Sequence, residues 1–306
     1  MENTENSRRM ITAYSHYLLN EHDPWKAFGT FFGKDMVQHD PDIADGNEGD
    51  EEFLEGRHDD NPDDYLPTDQ YSTIVHAIFA DDDLVAIKSH VFTSRDDEGR
   101  LFLDIWRTKN NKFVEHWAAI EPIPDDEEAR AKLTCGVGLD YEDAATKGDT
   151  VAAPVSGPAG DPGLREASLA TVRAFVDLVQ DPARIDEAVE RYLADDFVEF
   201  SARAKGYDRK AAAEHLRKRA ARGETFEEAR HMADGSLVLI HGRAFTGEHP
   251  LGYSQMHLYR VADGKITAHW SIRQEIPEYS VAGRCMVQGP LEEGRHKGGP
   301  RPGAGH

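Results

Sequence analysis

One long stretch of this 306-residue chain occurs twice. Residues 83–124 align without a gap with residues 236–277, about 153 positions later; they read DLVAIKSHVFTSRDDEGRLFLDIWRTKNNKFVEHWAAIEPIP and SLVLIHGRAFTGEHPLGYSQMHLYRVADGKITAHWSIRQEIP. The aligned identical pairs include Leu84/Leu237, Phe92/Phe245, His116/His269 and Trp117/Trp270. Solenoid repeats are about 20 to 50 residues long, whereas a period of this length is the size of a whole domain. We therefore predict two copies of one domain on one chain.

Each copy begins with helical patterns and continues with strand patterns. In the second copy, apolar residues recur at helical spacing after residue 162, and an Asp-Pro pair at 181–182 is typical of a helix start. The strands that follow are joined by turns at Asn110-Asn111 and Asp263-Gly264, which favour hairpins. This order predicts an α+β fold in which a curved antiparallel sheet wraps around about three helices. We expect domains at 1–124 and 163–278, a linker at 125–162, and a disordered tail at 279–306.

The formal net charge of −22 argues against a nucleic-acid partner, because such binding depends on Lys and Arg neutralising phosphates. An anionic membrane surface is disfavoured for the same reason. No segment approaches the roughly 18 apolar residues that cross a bilayer, and the N-terminal residues lack the apolar core of a signal peptide. The two cysteines, Cys135 and Cys285, are too few for a disulfide framework. We expect a soluble, cytoplasmic protein.

Four motifs of the first copy resemble the SnoaL-like branch of the nuclear transport factor 2-like (NTF2-like) superfamily. They are MVQHDPDIADG, DDDLVAIKSHVF, LDIWR and KFVEHWAAIEPIP, within about residues 11–124. The second copy shares DGSLVLIHGRAF, LYRVADGKI and AHWS but has VEFSA where the first has the Gln-His-Asp-Pro element. The resemblance implies two cone-shaped domains, each with an apolar pocket. Because the superfamily includes isomerases, polyketide cyclases, epoxide hydrolases, dehydratases and binding modules, the fold alone does not settle the function.

The first copy contains polar residues among aromatic ones, where burial can tune a pKa for proton transfer. In strand alternation His90 shares a face with Lys88, and Asp104 shares a face with Trp106. The predicted catalytic residues are His39, His90, Asp104 and Glu121. Glu121 enters because relatives carry an Asp directly after the His-Trp pair, or a few residues further along, whereas Ala118 and Ser271 follow the pair here.

Each of these candidates also has a purely structural interpretation. His39 could cap a turn before Pro41, Asp104 could pair with a neighbouring cation, and Glu121 could lie on the surface. We interpret His116 as a packing histidine beside its tryptophan, and Lys88 as a solvated strand lysine.

The second copy has different polar groups at the matching positions. Arg243 stands where the first copy has His90, and His257 stands where it has Asp104, so acceptor and donor roles are exchanged. The predicted pocket residues of this copy are Glu199, His241, Arg243, Tyr253 and His257. Because the two sets cannot perform identical chemistry, we favour one working site and place the first copy ahead.

The function favoured by these patterns is cofactor-independent general acid/base catalysis on a hydrophobic, oxygenated, polyketide-like molecule of secondary metabolism. Cyclisation, isomerisation and dehydration all fit. One alternative is a metal-dependent enzyme with the ligands His39, His90, Asp104 and His116. Another is a binding or scaffold protein without catalysis. For the partners we expect a small-molecule substrate and an intramolecular pseudo-dimer of the two domains within a monomer.

Overall fold

The computed structural model describes residues 2–19, 23–49, 72–92, 99–133, 162–201, 203–204, 206–289 and 296–297. These residues form two compact units. The first unit contains the described residues up to Pro122 and those from Ile276 onward, and the second contains those from Ile123 to Glu275. Most of the predicted linker, from residue 134 to 161, lies outside the described residues.

The first unit combines two helices with a five-stranded sheet. Its elements are α1 (Glu2–Leu19), α2 (Pro24–Phe31), β1 (Phe32–Gln38), β2 (Ser72–Asp81), β3 (Leu84–Phe92), β4 (Arg100–Lys109) and β5 (Lys112–Pro122). The strand order is β1-β5-β4-β3-β2, with β1 parallel to β5 and the other pairs antiparallel. Asn110 and Asn111 both have positive φ, as a two-residue hairpin turn requires, so the predicted turn is confirmed.

The second unit repeats this arrangement with two additional described α-helices and a 3₁₀ helix. Its elements are α3 (Glu127–Leu133), α4 (Pro162–Val179), a 3₁₀ helix (Pro182–Arg184), α5 (Ile185–Tyr192), β6 (Leu193–Glu199), α6 (Arg209–Ala221), β7 (Thr225–Asp234), β8 (Leu237–Phe245), β9 (Tyr253–Ala262) and β10 (Lys265–Glu275). The strand order is β6-β10-β9-β8-β7, and β6 is parallel to β10. The predicted duplication and α+β class are confirmed, although each sheet is mixed and not wholly antiparallel.

Each sheet has an inner face, which packs against the helices, and an outer face. On the first inner face, Val85, Ile87 and Trp106 join one apolar core with Ile11 and Tyr14 of α1. On the second, Val238, Ile240 and Tyr259 pack with Val172 and Phe175 of α4. Burying these side chains on a curved sheet supplies most of the stability of each unit.

The outer face of the first sheet is buried as well. Lys88 has an exposed fraction of 0%, so the prediction of a solvated lysine is wrong. His76 and His90 are also buried. Burial lowers the pKa of His76, and the nearby Lys88 and His90 lower it further.

The residues that follow β10 form a segment, 276–289, that we call the C-terminal clasp. The Val281 amide donates to the Pro41 carbonyl at 2.8 Å, and the Tyr279 hydroxyl donates to Asp42 Oδ1 at 2.7 Å. Tyr279 also begins β11 (Tyr279–Ser280), which pairs with β12 (His296–Lys297). The prediction of a disordered tail from residue 279 is therefore wrong for residues 279–289, which hydrogen-bond to the loop after β1 and belong to the first unit.

Candidate active site

The structure separates two of the residues that the sequence places in one site. In the β3–β4 ladder Ile87 lies opposite Asp104, and Leu101 lies opposite His90. Because residues directly opposite each other share a face, Asp104 lies on the inner face of the sheet and His90 on the outer face. The expected meeting of His90 and Asp104 does not occur.

His39 and Glu121 also lie away from Asp104. The His39 ring stacks on Trp117 with a centroid distance of 5.2 Å, while its Nδ1 hydrogen-bonds to the Cys285 carbonyl at 2.7 Å. Glu121 lies opposite Leu101 and so shares the outer face with His90. Three of the four predicted catalytic residues are therefore on the outer side of the sheet.

The alternative metal site fails on the same placement. His39 and His90 are on the outer side, whereas Asp104 and His116 are on the inner face and bond to each other. Ligands on opposite faces of a sheet cannot share one ion within the roughly 2.0–2.2 Å of a zinc site.

The residues predicted for the second pocket divide in a similar way. His257 lies opposite Ile240, so His241 and Arg243 point to the outer face, which makes their assignment to the pocket wrong. His241 Nε2 is 3.0 Å from Ser254 Oγ, and Arg243 Nε donates to the Leu251 carbonyl at 2.9 Å.

The other three predicted residues of this half lie on the inner side of the sheet. Tyr253 is near the start of β9 with the Arg273 guanidinium 4.3 Å from its ring centroid, and it is not in the cavity wall. Glu199 and His257 do line a cavity.

This cavity lies between the inner face of the second sheet and the helices α4 and α6. Its volume is about 270 Å³, close to the lower end for ligand pockets. Its apolar wall includes Phe175, Val179, Leu216, Phe226 and Ile240. The cavity is therefore suited to a small, mainly apolar molecule.

A chain of three polar side chains forms one wall of the cavity. Glu199 Oε2 lies 2.7 Å from His269 Nδ1, and His269 Nε2 lies 2.9 Å from His257 Nδ1. The Ser201 amide donates to Glu199 Oε1 at 2.9 Å, which holds the carboxylate in place. Tyr259 stacks on His269 with a centroid distance of 4.6 Å and fixes the ring from its face.

When His269 is neutral, the acceptor at one end of the chain fixes the direction of its hydrogen bonds. A carboxylate can only accept, so His269 donates from Nδ1, and a neutral His269 then accepts at Nε2. His257 must supply that proton from Nδ1, which leaves its Nε2 as an acceptor. Among the described residues His257 Nε2 has no hydrogen-bond partner, and its ring lines the cavity.

The surroundings of His257 keep it neutral. Burial is the main cause that holds its pKa well below the usual 6.5, and His269, Arg219 and Arg203 act in the same direction. His215 of α6 also lines the cavity, and burial together with Arg219 lowers its pKa to about 4. Both imidazoles are therefore unprotonated at neutral pH.

The first half has the same chain with different end groups. His116 Nδ1 lies 2.7 Å from Gln38 Oε1, and His116 Nε2 lies 3.2 Å from Asp104 Oδ1. Gln38 corresponds to Glu199, and Asp104 corresponds to His257. A side-chain amide now ends the chain on one side, and it cannot take up a proton as a carboxylate can.

The sequence patterns did not identify His269, and they named His116 only as a ligand of the alternative metal site. His116 and His269 recur in the repeat, but their place beside a tryptophan favoured a packing role. The signal that could have found them is the residue at the end of the preceding parallel strand. Gln38 and Glu199 each end a strand that runs beside the histidine, 78 and 70 residues earlier in the chain.

Solved structures similar to this chain each cover about one half of it. An NTF2-like protein of unknown function from Mesorhizobium loti is 22% identical, with 40% of this chain and 100% of that chain covered and a TM-score of 0.32. A candidate ketosteroid isomerase from Kribbella flavida is 16% identical, with 44% and 97% covered and a TM-score of 0.34. Each of these matches covers a part of this chain about the size of one of its two α+β halves.

A third similar structure is an LEH-like epoxide hydrolase from M. tuberculosis, which is 24% identical, with 36% of this chain and 84% of that chain covered and a TM-score of 0.31. Likenesses of this strength concern the fold and say nothing about substrate or reaction. No protein-family model and no curated protein matches the chain. Among the described helices none is both long and apolar enough to span a membrane.

Proposed function

We propose that the second-half cavity is the active site of a cofactor-independent enzyme that transfers a proton on a small, mainly apolar oxygenated molecule. His257 is the general base. Proton removal of this kind begins cyclisations, isomerisations and dehydrations, the three reaction classes that the sequence favours. The first half lacks this activity.

One observation carries the proposal. The hydrogen bonds from Glu199 through His269 to His257 leave His257 Nε2 as an unpartnered acceptor on the cavity wall. A base at this position lies within reach of a molecule that fills the cavity.

The chain can carry a proton away from the substrate in three balanced steps. His257 Nε2 takes the proton, the Nδ1 proton of His257 passes to His269 Nε2, and the Nδ1 proton of His269 passes to Glu199. The positive charge then does not remain on His257, where the nearby arginines disfavour it. In the first half Gln38 ends the chain, so the last of these steps has no acceptor.

The test uses a general probe for carbon-proton abstraction, 5-nitrobenzisoxazole. A base that removes its C3 proton breaks the N–O bond and forms a coloured cyanophenolate. We expect His257→Ala to lower the rate of the purified protein by about 10²- to 10⁴-fold, and Glu199→Gln to lower it by at least about tenfold because the relay loses its final acceptor.

The matched control is His241→Ala on the outer face of the same sheet, which should keep the wild-type rate. Equal rates for wild type and His257→Ala, or the absence of any catalysed elimination in the wild type, would contradict the proposal.

A further inference from the structure

We propose that Ser271, held by Arg203 and Gln255, is the oxyanion-binding group of the second-half cavity. Together with His257 it selects a substrate with an acidic C–H bond next to a carbonyl group. The geometry around Ser271 supports the oxyanion site by itself, whereas the assignment of an enolisable carbonyl compound as the substrate rests on the proposed function.

Ser271 and His257 are neighbours on adjacent strands. They lie directly opposite each other in the β9–β10 ladder, and both line the cavity. Side chains in such a pair have Cβ atoms about 4.5 to 5.5 Å apart. This separation suits two groups that act on neighbouring atoms of one small molecule.

Two hydrogen bonds determine what the Ser271 hydroxyl can do. Its Oγ accepts from Arg203 Nη2 at 3.0 Å and from Gln255 Nε2 at 2.8 Å. Arg203 Nη2 also donates to the Ser271 carbonyl at 2.9 Å, which ties the guanidinium to this residue. A hydroxyl oxygen has two acceptor positions, and both are occupied here.

The hydroxyl proton is the group that remains for a ligand. No described residue accepts it, and Ser271 is only 3% exposed. Two donors on the oxygen, one of them cationic, polarise the O–H bond and strengthen it as a donor. The same two bonds withdraw electron density from the oxygen, so Ser271 is a poor nucleophile in spite of the histidine beside it.

The chemistry of an enolisable carbonyl fits this pair. When His257 takes the proton on carbon, the C–H electron pair forms a C=C bond and the carbonyl π pair moves to oxygen. The oxygen that gains charge receives the Ser271 hydroxyl proton as a hydrogen bond, with the Arg203 charge behind it. A preformed donor and cation stabilise that charge without rearrangement.

The experiment measures binding of 4-nitrophenol, whose phenolate has its own absorbance band and mimics an enolate oxygen. We expect the wild-type protein to bind the phenolate in preference to the neutral phenol. Ser271→Ala should weaken phenolate binding by about 10- to 100-fold, while binding of nitrobenzene, a neutral probe of similar size, stays unchanged. Ser254→Ala, a buried serine on the outer face of the same strand pair, is the control and should keep the preference.

The variant His257→Ala separates this inference from the proposed function. It should abolish elimination of 5-nitrobenzisoxazole yet retain the preference for phenolate, because the oxyanion group does not depend on the base. Phenolate preference without catalysis would leave the oxyanion site intact and remove the proposed function. Failure of 4-nitrophenol to bind, equal binding of phenol and phenolate, or an unchanged preference in Ser271→Ala would overturn the inference.

Discussion

At the scale of single residues, the two halves differ at the ends of one hydrogen-bond chain. Gln38 becomes Glu199 and Asp104 becomes His257, while the central histidine is retained. The exchange moves the carboxylate from one end of the chain to the other. It places an imidazole nitrogen at the second cavity and a carboxylate behind it.

The pH dependence of elimination follows from the environment of His257. Burial and the neighbouring positive charges lower its pKa well below 6.5, so the active, neutral form persists into acidic solution. We expect kcat/KM for 5-nitrobenzisoxazole to stay constant as the pH falls through 6.5 and to decline only at lower pH. A half-maximal rate at or above pH 6.5 would assign the activity to a different base.

The residue types of the second site were readable from the sequence, but their grouping was not. Glu199 and His257 were both predicted, His257 because it stands where the first copy has Asp104. Ser271 was noted only as the replacement for a missing carboxylate. Its role depends on Arg203, which comes from an irregular loop and carries no periodic signal.

At the scale of elements, the register of neighbouring strands decides which side chains meet. Alternation within β3 and within β4 was clear from the sequence, yet a shift of one residue in pairing moves a whole set to the other face. Both faces of the first sheet are buried, as Lys88 and Ile87 show on opposite sides. The pattern of apolar residues therefore does not determine the register of strand pairing. Hairpin turns and helix starts, in contrast, were predictable from local sequence signals.

Substitution of a glycine in β8 tests how closely this strand packs against neighbouring residues. A Cβ on Gly242 would lie 2.2 Å from the Glu227 carbonyl oxygen and 2.6 Å from Phe226 Cζ. We expect Gly242→Ala to lower the free energy of unfolding by about 1 to 3 kcal/mol, measured by chemical denaturation. Gly29→Ala is the control, since its Cβ would meet nothing within 4 Å and Gly29 lies in helix α2, where alanine should be neutral or stabilising. Equal stability of the wild type and Gly242→Ala would show that the strand can shift freely.

His215 in helix α6 should make the free energy of unfolding depend on pH. Its pKa is about 4 when folded and near 6.5 when unfolded, so the unfolded state binds the proton first as the pH falls. The resulting loss of stability is absent above pH 6.5 and complete near pH 4. His215→Asn should reduce the slope in this range by less than the ~1.4 kcal/mol per pH unit of one full proton, because the side chain is partly exposed. If the free energy of unfolding of the wild type and of His215→Asn changes with the same slope from pH 7.5 to 4.5 in denaturation series, this prediction is refuted.

At the scale of the whole molecule, chain order and structural units do not coincide. The C-terminal clasp follows the last strand of the second sheet but hydrogen-bonds to the loop after β1. Its composition resembles that of a disordered tail, but tertiary partners of Tyr279, Val281, Arg284 and Cys285 hold it in place. The duplication was visible from the sequence because it can be found by aligning one part of the chain with another. Beyond Pro277 the clasp has no counterpart in the repeat.

Two truncations test the clasp. A chain that ends after residue 289 keeps it, and a chain that ends after residue 275 loses it. We expect the shorter chain to show faster amide hydrogen exchange at residues 36–46, while strands β8 and β9 keep their protection. Similar exchange at residues 36–46 in both chains would mean that the clasp does not stabilise the first unit.

The proposed function depends most directly on one property, the unprotonated Nε2 that His257 presents to the cavity with His269 and Glu199 behind it. It can be measured without a substrate, by long-range ¹H–¹⁵N NMR of the histidine rings at pH 7, assigned with His257→Ala and His269→Gln. We expect His257 and His269 both to be neutral and both to carry their proton on Nδ1. A His257 ring that is protonated on Nε2, or on both nitrogens, would contradict it.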